Sequence, residues 1–284
     1  MPETPEVQAL ADELAERLVG RALSSAELLE GRLVKTRGRG PDTLVGAEPT
    51  GVLRHGKLVD LAFGDRHLVV SLGRHGWMRW VAEGATSPEE GDDDAPPPAL
   101  ASLAFDGAPA LELTDAGTWL SLGLFVVDDP ADVPAIAKLG PDPADDSFTR
   151  AQFDHAVAGR RKQVKAILID QAALAGIGNA YSDEICFAAR VSPVIHASEL
   201  ADDALDRLFA ATTDVVRSAV AARRGIPIAD LKAAKTAAMQ VHGRAGEPCP
   251  GECGGTVRDF AFGSTTAQYC PDCQTGGALL AEPG

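Results

Sequence analysis

Four cysteines near the C-terminus constrain the fold more than any other feature of this sequence. They are spaced as Cys249-x3-Cys253-x16-Cys270-x2-Cys273, two close pairs separated by a loop long enough for a β-hairpin. Four thiolates suit a tetrahedral Zn²⁺ ion, and a closed shell of four ligands leaves no open position for catalysis. A segment this short has too little core to fold alone. We therefore predict one structural zinc ion that holds residues 243–276 folded.

The composition and the N-terminus point to a protein without a membrane partner. The 284 residues are enough for two domains, and 45% of them are hydrophobic. No apolar run approaches the roughly 18–20 residues that a membrane-spanning helix needs. The first residues are acidic and show neither the basic region nor the apolar region of a signal peptide. Crowded cysteines suit metal binding in a reducing compartment, so we expect a cytoplasmic protein.

The net charge of −15 argues against non-specific affinity of the whole chain for nucleic acid. The charges are unevenly distributed, however, with acids concentrated in residues 83–94 and 128–146. Basic residues form separate clusters: Lys35, Arg37 and Arg39; Arg54 and Lys57; Arg160, Arg161, Lys162 and Lys165; Arg223 and Arg224; Lys232 and Lys235. A cationic face on an acidic body and ordinary solvated charges both agree with this pattern.

The first half of the chain predicts one helix and then a sheet. Apolar residues recur every three or four positions over residues 6–19, which predicts an amphipathic helix. Short β-like runs follow at Thr50–Leu53, Leu58–Phe63, His67–Leu72, Trp77–Val81, Leu100–Phe105, Leu111–Leu113 and Leu120–Val127. Gly and Asp separate these runs, which favours a sandwich or barrel-like sheet. We predict a β-sandwich domain over residues 2–127, interrupted by a disordered acidic insertion at 83–99.

After a linker at residues 128–147, the pattern becomes helical. Helices are predicted at about 148–157, 161–174, 179–188, 198–221 and 228–234. Cys186, the fifth cysteine, lies in an apolar helical stretch and is predicted to be in the core. The predicted fold class is therefore α+β in two domains: a β-sandwich with an N-terminal helix, then a helical domain at 148–242, the zinc finger at 243–276 and a tail at 277–284.

Pro2 is the first candidate for chemistry. If Met1 is removed, Pro2 presents a secondary amine, and α-amino groups titrate near pH 8, so part of the population is nucleophilic at neutral pH. Such an amine can attack a sugar or carbonyl carbon, and the adjacent Glu3 is placed to move a proton. If Met1 is retained, the Pro2 nitrogen is a tertiary amide and this chemistry is impossible. Alternatively, the prolines only stiffen the start of the chain.

The segment from Ala175 to Asn179 breaks one predicted helix and starts another. Its two glycines allow close backbone approach, and Asn179 is predicted to cap the second helix. Exposed N–H groups at a helix N-terminus bind phosphate readily. A simple helix–turn–helix connection is the other interpretation.

Three segments of the sequence resemble the formamidopyrimidine-DNA glycosylase and endonuclease VIII family. The start PETPEV is similar to that family's N-terminal motif, and residues 165–193 are similar to its helix-two-turn-helix motif. The segment VHGRAGEPC, which leads into a finger ending YCPDCQ, is similar to its C-terminal module. The segments occur in the family's order and span residues 2–276.

This resemblance implies a bifunctional DNA glycosylase and abasic-site lyase that acts on oxidised bases in damaged double-stranded DNA, as a monomer. Pro2 would attack C1′ of the flipped nucleotide to form a Schiff base, and Glu3 would be the general acid that opens the sugar. Lys57 would be the family's strand lysine near the lesion phosphate, and Glu6 would shape the pocket. Asn179 would bind backbone phosphate, with Lys165 and Arg244 as further DNA contacts.

The chain departs from the family at several positions. Thr265 occupies the place of the zinc-hairpin arginine, and a neutral hydroxyl cannot make a charged bidentate phosphate contact, so we expect weak δ-elimination. Arg74 stands where the family has a void-filling methionine, and Gly117 stands where it has the arginine that probes the opposite base. Trp119 stands where the family has an aromatic residue that wedges into the base stack, and it can still stack on a base. The stretch Leu231–Met239 is short compared with the long capping loop of the oxoguanine-specific branch, which indicates the pyrimidine-acting branch.

Two other functions compete with the active enzyme. The lost arginines also agree with a catalytically weak or inactive paralogue that binds lesions or unusual DNA. The acidic charge allows an N-terminal-proline enzyme that acts on a small carbonyl compound, although the zinc finger and the helical motif do not support it.

Overall fold

The computed structural model describes residues 1–81 and 96–280 and contains two compact units. The first unit comprises Met1–Pro2, Glu6–Ala137 and Arg224–Leu231. The second comprises Glu3–Pro5, Lys138–Arg223 and the chain from Lys232 onward. The chain therefore passes from one unit to the other more than once. The boundary between Ala137 and Lys138 falls within the predicted linker at 128–147.

The first unit is a β-sandwich with one long helix. The helix α1 spans Thr4–Leu18, and its apolar stripe of Val7, Leu10, Leu14 and Leu18 is completely buried. The strands are β1 (Leu23–Leu28), β2 (Gly51–His55), β3 (Leu58–Phe63), β4 (Arg66–Ser71), β5 (Gly76–Val81), β6 (Ala99–Phe105), β7 (Ala110–Asp115) and β8 (Gly123–Val127). They form two antiparallel sheets of four strands, in the orders β1-β6-β7-β5 and β2-β3-β4-β8. The predicted sandwich with an N-terminal helix is confirmed.

Two details of this unit differ from the sequence prediction. Strand β1 was not predicted, because LSSAEL has no β-branched or aromatic residue and its pairing with β6 is irregular between Leu23 and Ser25. The predicted insertion at 83–99 ends too late, since β6 begins at Ala99 and pairs with Thr114 of β7. Residues 83–95 of that insertion lie outside the described residues.

The second unit is helical and ends in a β-hairpin. Its elements are α2 (Arg150–Val157), α3 (Val164–Leu168), α4 (Asn179–Ala188), α5 (Asp202–Arg223), α6 (Leu231–Ala238), β9 (Arg258–Phe262), β10 (Thr265–Tyr269) and α7 (Pro271–Gln274). Its main core includes Phe153 and Tyr181. Cys186 is completely buried in the same core, as the sequence predicts.

The helix predicted over residues 161–174 is much shorter in the structure. The structure has α3 over Val164–Leu168 only, because Asp170 folds back to accept a hydrogen bond from the Ala172 N–H (3.1 Å). Gln171 then fixes the loop, since its side chain accepts from the Gly176 N–H (2.9 Å) and donates to the Ile177 carbonyl (2.7 Å). This loop leads directly into α4.

A search of the helices in residues 1–81 and 96–280 finds none that is long and apolar enough to cross a membrane.

Candidate functional site

Glu3 occupies the N-terminus of helix α4. Its buried carboxylate accepts hydrogen bonds from the backbone N–H groups of Gly178, Ala180 (3.1 Å) and Tyr181 (3.3 Å). Negative charge is stabilised at this end of a helix. Gly178 is required here, because a Cβ at this position would lie 2.6 Å from Cδ of Glu3. The N–H groups that the sequence suggests for phosphate binding are thus bonded to the chain's own Glu3.

Further contacts fix the N-terminal segment in the second unit. The Lys235 ammonium group on α6 donates to Oε1 of Glu3 at 3.1 Å and lies 5.1 Å from the centre of the Tyr181 ring. The Thr4 N–H donates to the Gly176 carbonyl at 3.0 Å. Pro2 is also buried. Side-chain and backbone donors together therefore hold Glu3, the residue after Pro2, in a defined position.

Asn179 connects helix α4 to the β9–β10 hairpin. Its Nδ2 donates to the Thr266 carbonyl at 2.9 Å, next to Thr265 at the start of β10. Its Oδ1 is buried and has no hydrogen-bond partner in the described part of the chain. The predicted position of Asn179 as the cap is wrong by one residue: Gly178 is the N-cap and Asn179 is the first helical residue. The side chain is therefore used in a longer-range contact with the hairpin.

Lys165 does not have the exposed position that a DNA contact requires. Its side chain is completely buried, and the ammonium group bonds to Asp183 Oδ1 (2.6 Å), Ser182 Oγ (2.8 Å) and the Asn179 carbonyl (3.0 Å). An ammonium group has three hydrogens, and these acceptors use all of them. The structure thus corrects the predicted DNA contact. Lys165 positions the first turn of α4, including Asn179.

Replacing Lys165 by Met should strongly destabilise the protein. The Lys165→Met variant leaves Asp183 buried without its main counter-charge, which costs about 3–5 kcal/mol of unfolding free energy. Lys162→Met is the matched control, because its ion pair with Asp170 (2.8 Å) is half-exposed and such pairs contribute about 1 kcal/mol or less. Urea unfolding followed by circular dichroism measures both values. Equal losses for the two variants would contradict the structural role of Lys165.

Asp183 and Glu184 of α4 hold residues 240–242, which lead into the cysteine module at residues 243–276. Neither acid was predicted as a site residue. Asp183 Oδ2 lies 2.7 Å from Nδ1 of His242. The Glu184 carboxylate accepts from the N–H groups of Gln240, Val241 and His242, each at 2.9 Å. The sequence could have indicated them, because these two adjacent acids are the only charged residues in α4.

Arg244 lies two residues beyond His242. It is partly exposed, it lies 3.5 Å from Glu247, and it donates to the Met239 carbonyl at 3.4 Å. Part of its guanidinium group therefore faces solvent beside the module.

Lys57 and Glu6 belong to the first unit. Lys57 lies in the turn between β2 and β3 rather than within a strand, directly after Gly56, which has φ of +55°. Arg54 braces this turn by donating to the Gly56 carbonyl (3.0 Å) and to Gln8 of α1 (3.0 Å). Glu6 is buried in the first turn of α1. The catalytic roles of Lys57 and Glu6 remain predictions.

Arg74 and Trp119 lie on neighbouring loops of the same unit. Arg74 is exposed in the turn between β4 and β5, and Trp119 is 59% exposed in the connection between β7 and β8. The adjacent His75 places its ring edge-on to Trp119, with 6.0 Å between the ring centres. The loops that carry Arg74 and Trp119 thus lie side by side, and the roles of these two residues in DNA binding remain predictions.

The four cysteines converge as predicted. Their Sγ atoms all lie within 4.8 Å of one another, with Cys249 and Cys273 at 3.7 Å and Cys253 and Cys270 at 3.5 Å. A tetrahedral ion with Zn–S bonds of about 2.3 Å needs S–S distances of about 3.8 Å. The N–H groups of Gly251 and Gly255 point at two of the sulfurs (3.4 Å each) and stabilise thiolate charge. The donor set fits one four-coordinate metal ion.

Comparisons with known proteins agree with this geometry. Residues 1–119 match the family model described as the formamidopyrimidine-DNA glycosylase N-terminal domain, and residues 139–229 match its H2TH domain. The chain is 32% identical to the formamidopyrimidine-DNA glycosylase of Symbiobacterium thermophilum, over 96% of this chain and 89% of that protein. It is 42% identical to an uncharacterized formamidopyrimidine-DNA glycosylase-like protein of Mycobacterium tuberculosis, over 54% of this chain and 94% of that protein.

Solved structures of such glycosylases share the fold. The Lactococcus lactis enzyme in complex with DNA containing an abasic site superposes with a TM-score of 0.83 at 23% identity, over 96% of this chain and 99% of that chain. The enzyme from Thermus thermophilus gives a TM-score of 0.80 at 27% identity, over 98% and 100%. Together with the sequence matches, these similarities show that the chain belongs to the formamidopyrimidine-DNA glycosylase family.

Proposed function

We propose that this chain excises oxidised bases from double-stranded DNA and cleaves the resulting abasic site by β-elimination, with Pro2 as the nucleophile. The observation that carries this proposal is the fixed position of Glu3 at the N-terminus of α4, next to Pro2 in the chain. Ionisable groups that are buried and held by several donors are concentrated at functional sites. Two relatives that are 32% identical to this chain are named formamidopyrimidine-DNA glycosylase.

The reaction uses the N-terminal amine in its free form. The Pro2 nitrogen lone pair forms a bond to C1′ while the bond from C1′ to the damaged base breaks. The Pro2 nitrogen then gives its proton to the Glu3 carboxylate, and Glu3 passes this proton to the ring oxygen O4′, so that the sugar ring opens and an iminium ion remains between Pro2 and C1′. Loss of a C2′ proton then expels the 3′ phosphate. Lys57 is proposed to lie near the lesion phosphate and to act as the proton donor in this elimination, and Glu6 to shape the base pocket.

The second unit supplies several DNA contacts in this proposal. Asn179 binds backbone phosphate together with the hairpin that it contacts, and Arg244 adds a charged contact beside the cysteine module. Lys165 does not contact DNA in this proposal; it positions Asn179 by donating a hydrogen bond to the Asn179 carbonyl. One Zn²⁺ ion held by the four cysteines keeps the hairpin folded and takes no part in the chemistry. The protein works as a monomer.

Adding an arginine to the hairpin should strengthen DNA binding and change the products. In Thr265→Arg a guanidinium group replaces a neutral hydroxyl, and one charged phosphate contact contributes about 1.5–3 kcal/mol. We expect tighter binding, a steeper salt dependence by about one unit of slope, and the appearance of δ-elimination products on gels. Thr266→Arg is the control, because successive residues of a strand face opposite sides. Equal effects of the two substitutions would show that the added positive charge, and not its position on the hairpin, strengthens DNA binding.

The second candidate is a DNA-binding paralogue without catalysis. Thr265 and Gly117 favour it, since each replaces a charged group with a neutral residue. Borohydride traps the covalent intermediate of the enzyme but not of a binder. Binding of abasic-site duplex without any trapped adduct would therefore establish this second function.

A further inference from the structure

The loops that carry Arg74 and Trp119 form an exposed aromatic surface. Trp119 is more than half exposed, although large aromatic side chains are usually covered unless they bind a partner. Its ring packs edge-on against His75, with an angle of 82° between the ring planes. Such a surface suits flat partners such as nucleobases.

Asp115, the last residue of β7, holds the Trp119 loop in place. Its carboxylate accepts hydrogen bonds from the Gly117 N–H (2.9 Å), the Ser121 N–H (2.8 Å) and hydroxyl (2.8 Å), and the Leu122 N–H (3.0 Å). Burial raises the pKa of Asp115, but these hydrogen bonds outweigh it, so the pKa lies below its ordinary value of 3.8. The stability that this group contributes is complete above about pH 4 and is lost as the pH falls through the lowered pKa.

Ser121 links this network to the Arg74 loop. Its Oγ accepts from the backbone N–H groups of Arg74 (3.0 Å) and His75 (3.1 Å) while donating to Asp115. The loops also touch directly, because a Cβ added to Gly73, which has φ of +57°, would lie 2.2 Å from the Ser121 carbonyl oxygen. The two loops are therefore joined by hydrogen bonds and by close packing.

Gly117 gives a physical reason for the missing arginine. A Cβ at Gly117 would lie 2.8 Å from Cδ2 of His75 and 3.0 Å from the Trp119 carbonyl oxygen. The His75 ring thus occupies the space that a larger side chain at position 117 would need. A side chain at position 117 would therefore have to displace the His75 ring of the Arg74 loop.

We propose that Asp115 and Ser121 form a latch that fixes Arg74, His75 and Trp119 as one rigid probe of the DNA base stack, with His75 in the place of the missing arginine. This proposal rests on the proposed function. Trp119 and His75 stack on bases, and the Arg74 guanidinium has the donors to read a base edge. A probe that is rigid before binding loses less conformational entropy when it enters the duplex. Asp115 and Ser121 are positioning residues.

The first test is Ser121→Ala, which removes the hydroxyl at the centre of the latch. Under single-turnover conditions with saturating enzyme, we expect excision of an oxidised base from duplex DNA to slow by about tenfold or more, since several hydrogen bonds are lost. Cleavage of a single-stranded abasic site should stay within about twofold of the wild-type rate, because that substrate has no base stack to enter. Asp115→Asn, which weakens the same acceptor, should behave alike.

Ser24→Ala is the matched control. Its Oγ donates to the Ala104 carbonyl (3.1 Å) within the β1–β6 pair of the same unit and does not join the two loops. Both rates should be those of the wild type. Equal slowing of Ser121→Ala on both substrates, or an unchanged rate on duplex DNA, would overturn the latch.

A double-mutant cycle shows whether the latch acts through Trp119. Trp119→Ala alone should slow excision from duplex DNA. Adding Ser121→Ala to it should then change the rate by less than about twofold, because residues that act as a unit are not additive. Fully additive effects would overturn the proposal.

A binding assay separates failure of the latch from failure of the proposed function. 2-Aminopurine opposite a stable abasic-site analogue becomes more fluorescent when the protein disturbs its stacking, and this requires no catalysis. A wild-type protein that cleaves none of the substrates refutes the proposed function, but its fluorescence change still tests the probe. Loss of that change in Ser121→Ala supports the latch, and an unchanged signal overturns it.

Discussion

Blocking the Pro2 nitrogen is expected to abolish covalent chemistry while leaving the folded protein intact. An amide nitrogen has its lone pair delocalised into the carbonyl, so it cannot attack C1′. The protein should be expressed with an N-terminal fusion that a protease removes directly before Pro2. Before cleavage, borohydride should trap no adduct with an abasic-site duplex; after cleavage, it should trap one, with a rate at least about 10³-fold higher.

The same protein before and after proteolysis is its own control. Mass spectrometry of the mature N-terminus shows whether Met1 is removed in the native protein, and circular dichroism shows whether the fusion disturbs the fold. An adduct in the uncleaved form would mean that another amine, such as Lys57, is the nucleophile. No adduct in either form, with binding retained, would favour the catalytically inactive paralogue.

Loss of one cysteine of the metal centre is expected to have the largest effect on DNA binding. Cys270 is completely buried and lies between β10 and α7, so Cys270→Ser removes a ligand that no neighbour can replace. Structural zinc sites contribute about 10–16 kcal/mol of apparent binding free energy, most of which is folding energy of the module. We expect the variant to hold no zinc and to lose affinity for duplex DNA by two orders of magnitude or more, because the hairpin that contacts Asn179 unfolds.

Zinc content by atomic absorption and binding by gel shift check this prediction. The wild-type protein should hold one zinc ion per chain. Cys186→Ala is the control, since this cysteine is buried in the helical core away from the cluster, and it should retain both the metal and DNA binding. Normal DNA affinity of a metal-free Cys270→Ser protein would show that the hairpin folds without the ion.

The parts of the fold that depend on local pattern were predictable. The cysteine spacing predicted the metal centre, the series of short β-like runs predicted the sandwich, and the apolar stripe Val7–Leu18 predicted α1. Strand β1 was not predicted because LSSAEL has no β-branched or aromatic residue, and its strand conformation depends on pairing with β6. Helix α3 was predicted too long because Asp170 ends it through its own side chain.

The candidate site was less predictable because its contacts join distant residues. Lys165 follows a basic run in the sequence and resembled a DNA contact, but burial beside Asp183 is a tertiary property. Glu3 was predicted as an acid from its place beside Pro2, whereas its partners lie 175 or more residues away. The Asp115–Ser121 latch joins loops about 46 residues apart, and only the hydrogen-bond geometry identifies it.

The anchoring of Glu3 at α4 has a consequence for biosynthesis. The first of the backbone donors that hold Glu3 is synthesised 175 residues after Glu3 itself, roughly 10–35 seconds later at about 5–20 residues per second. During this interval the terminus is open to methionine aminopeptidase, whereas in the finished protein Pro2 is buried. Maturation of the nucleophile is therefore expected to be fastest during synthesis, before Glu3 is held at α4.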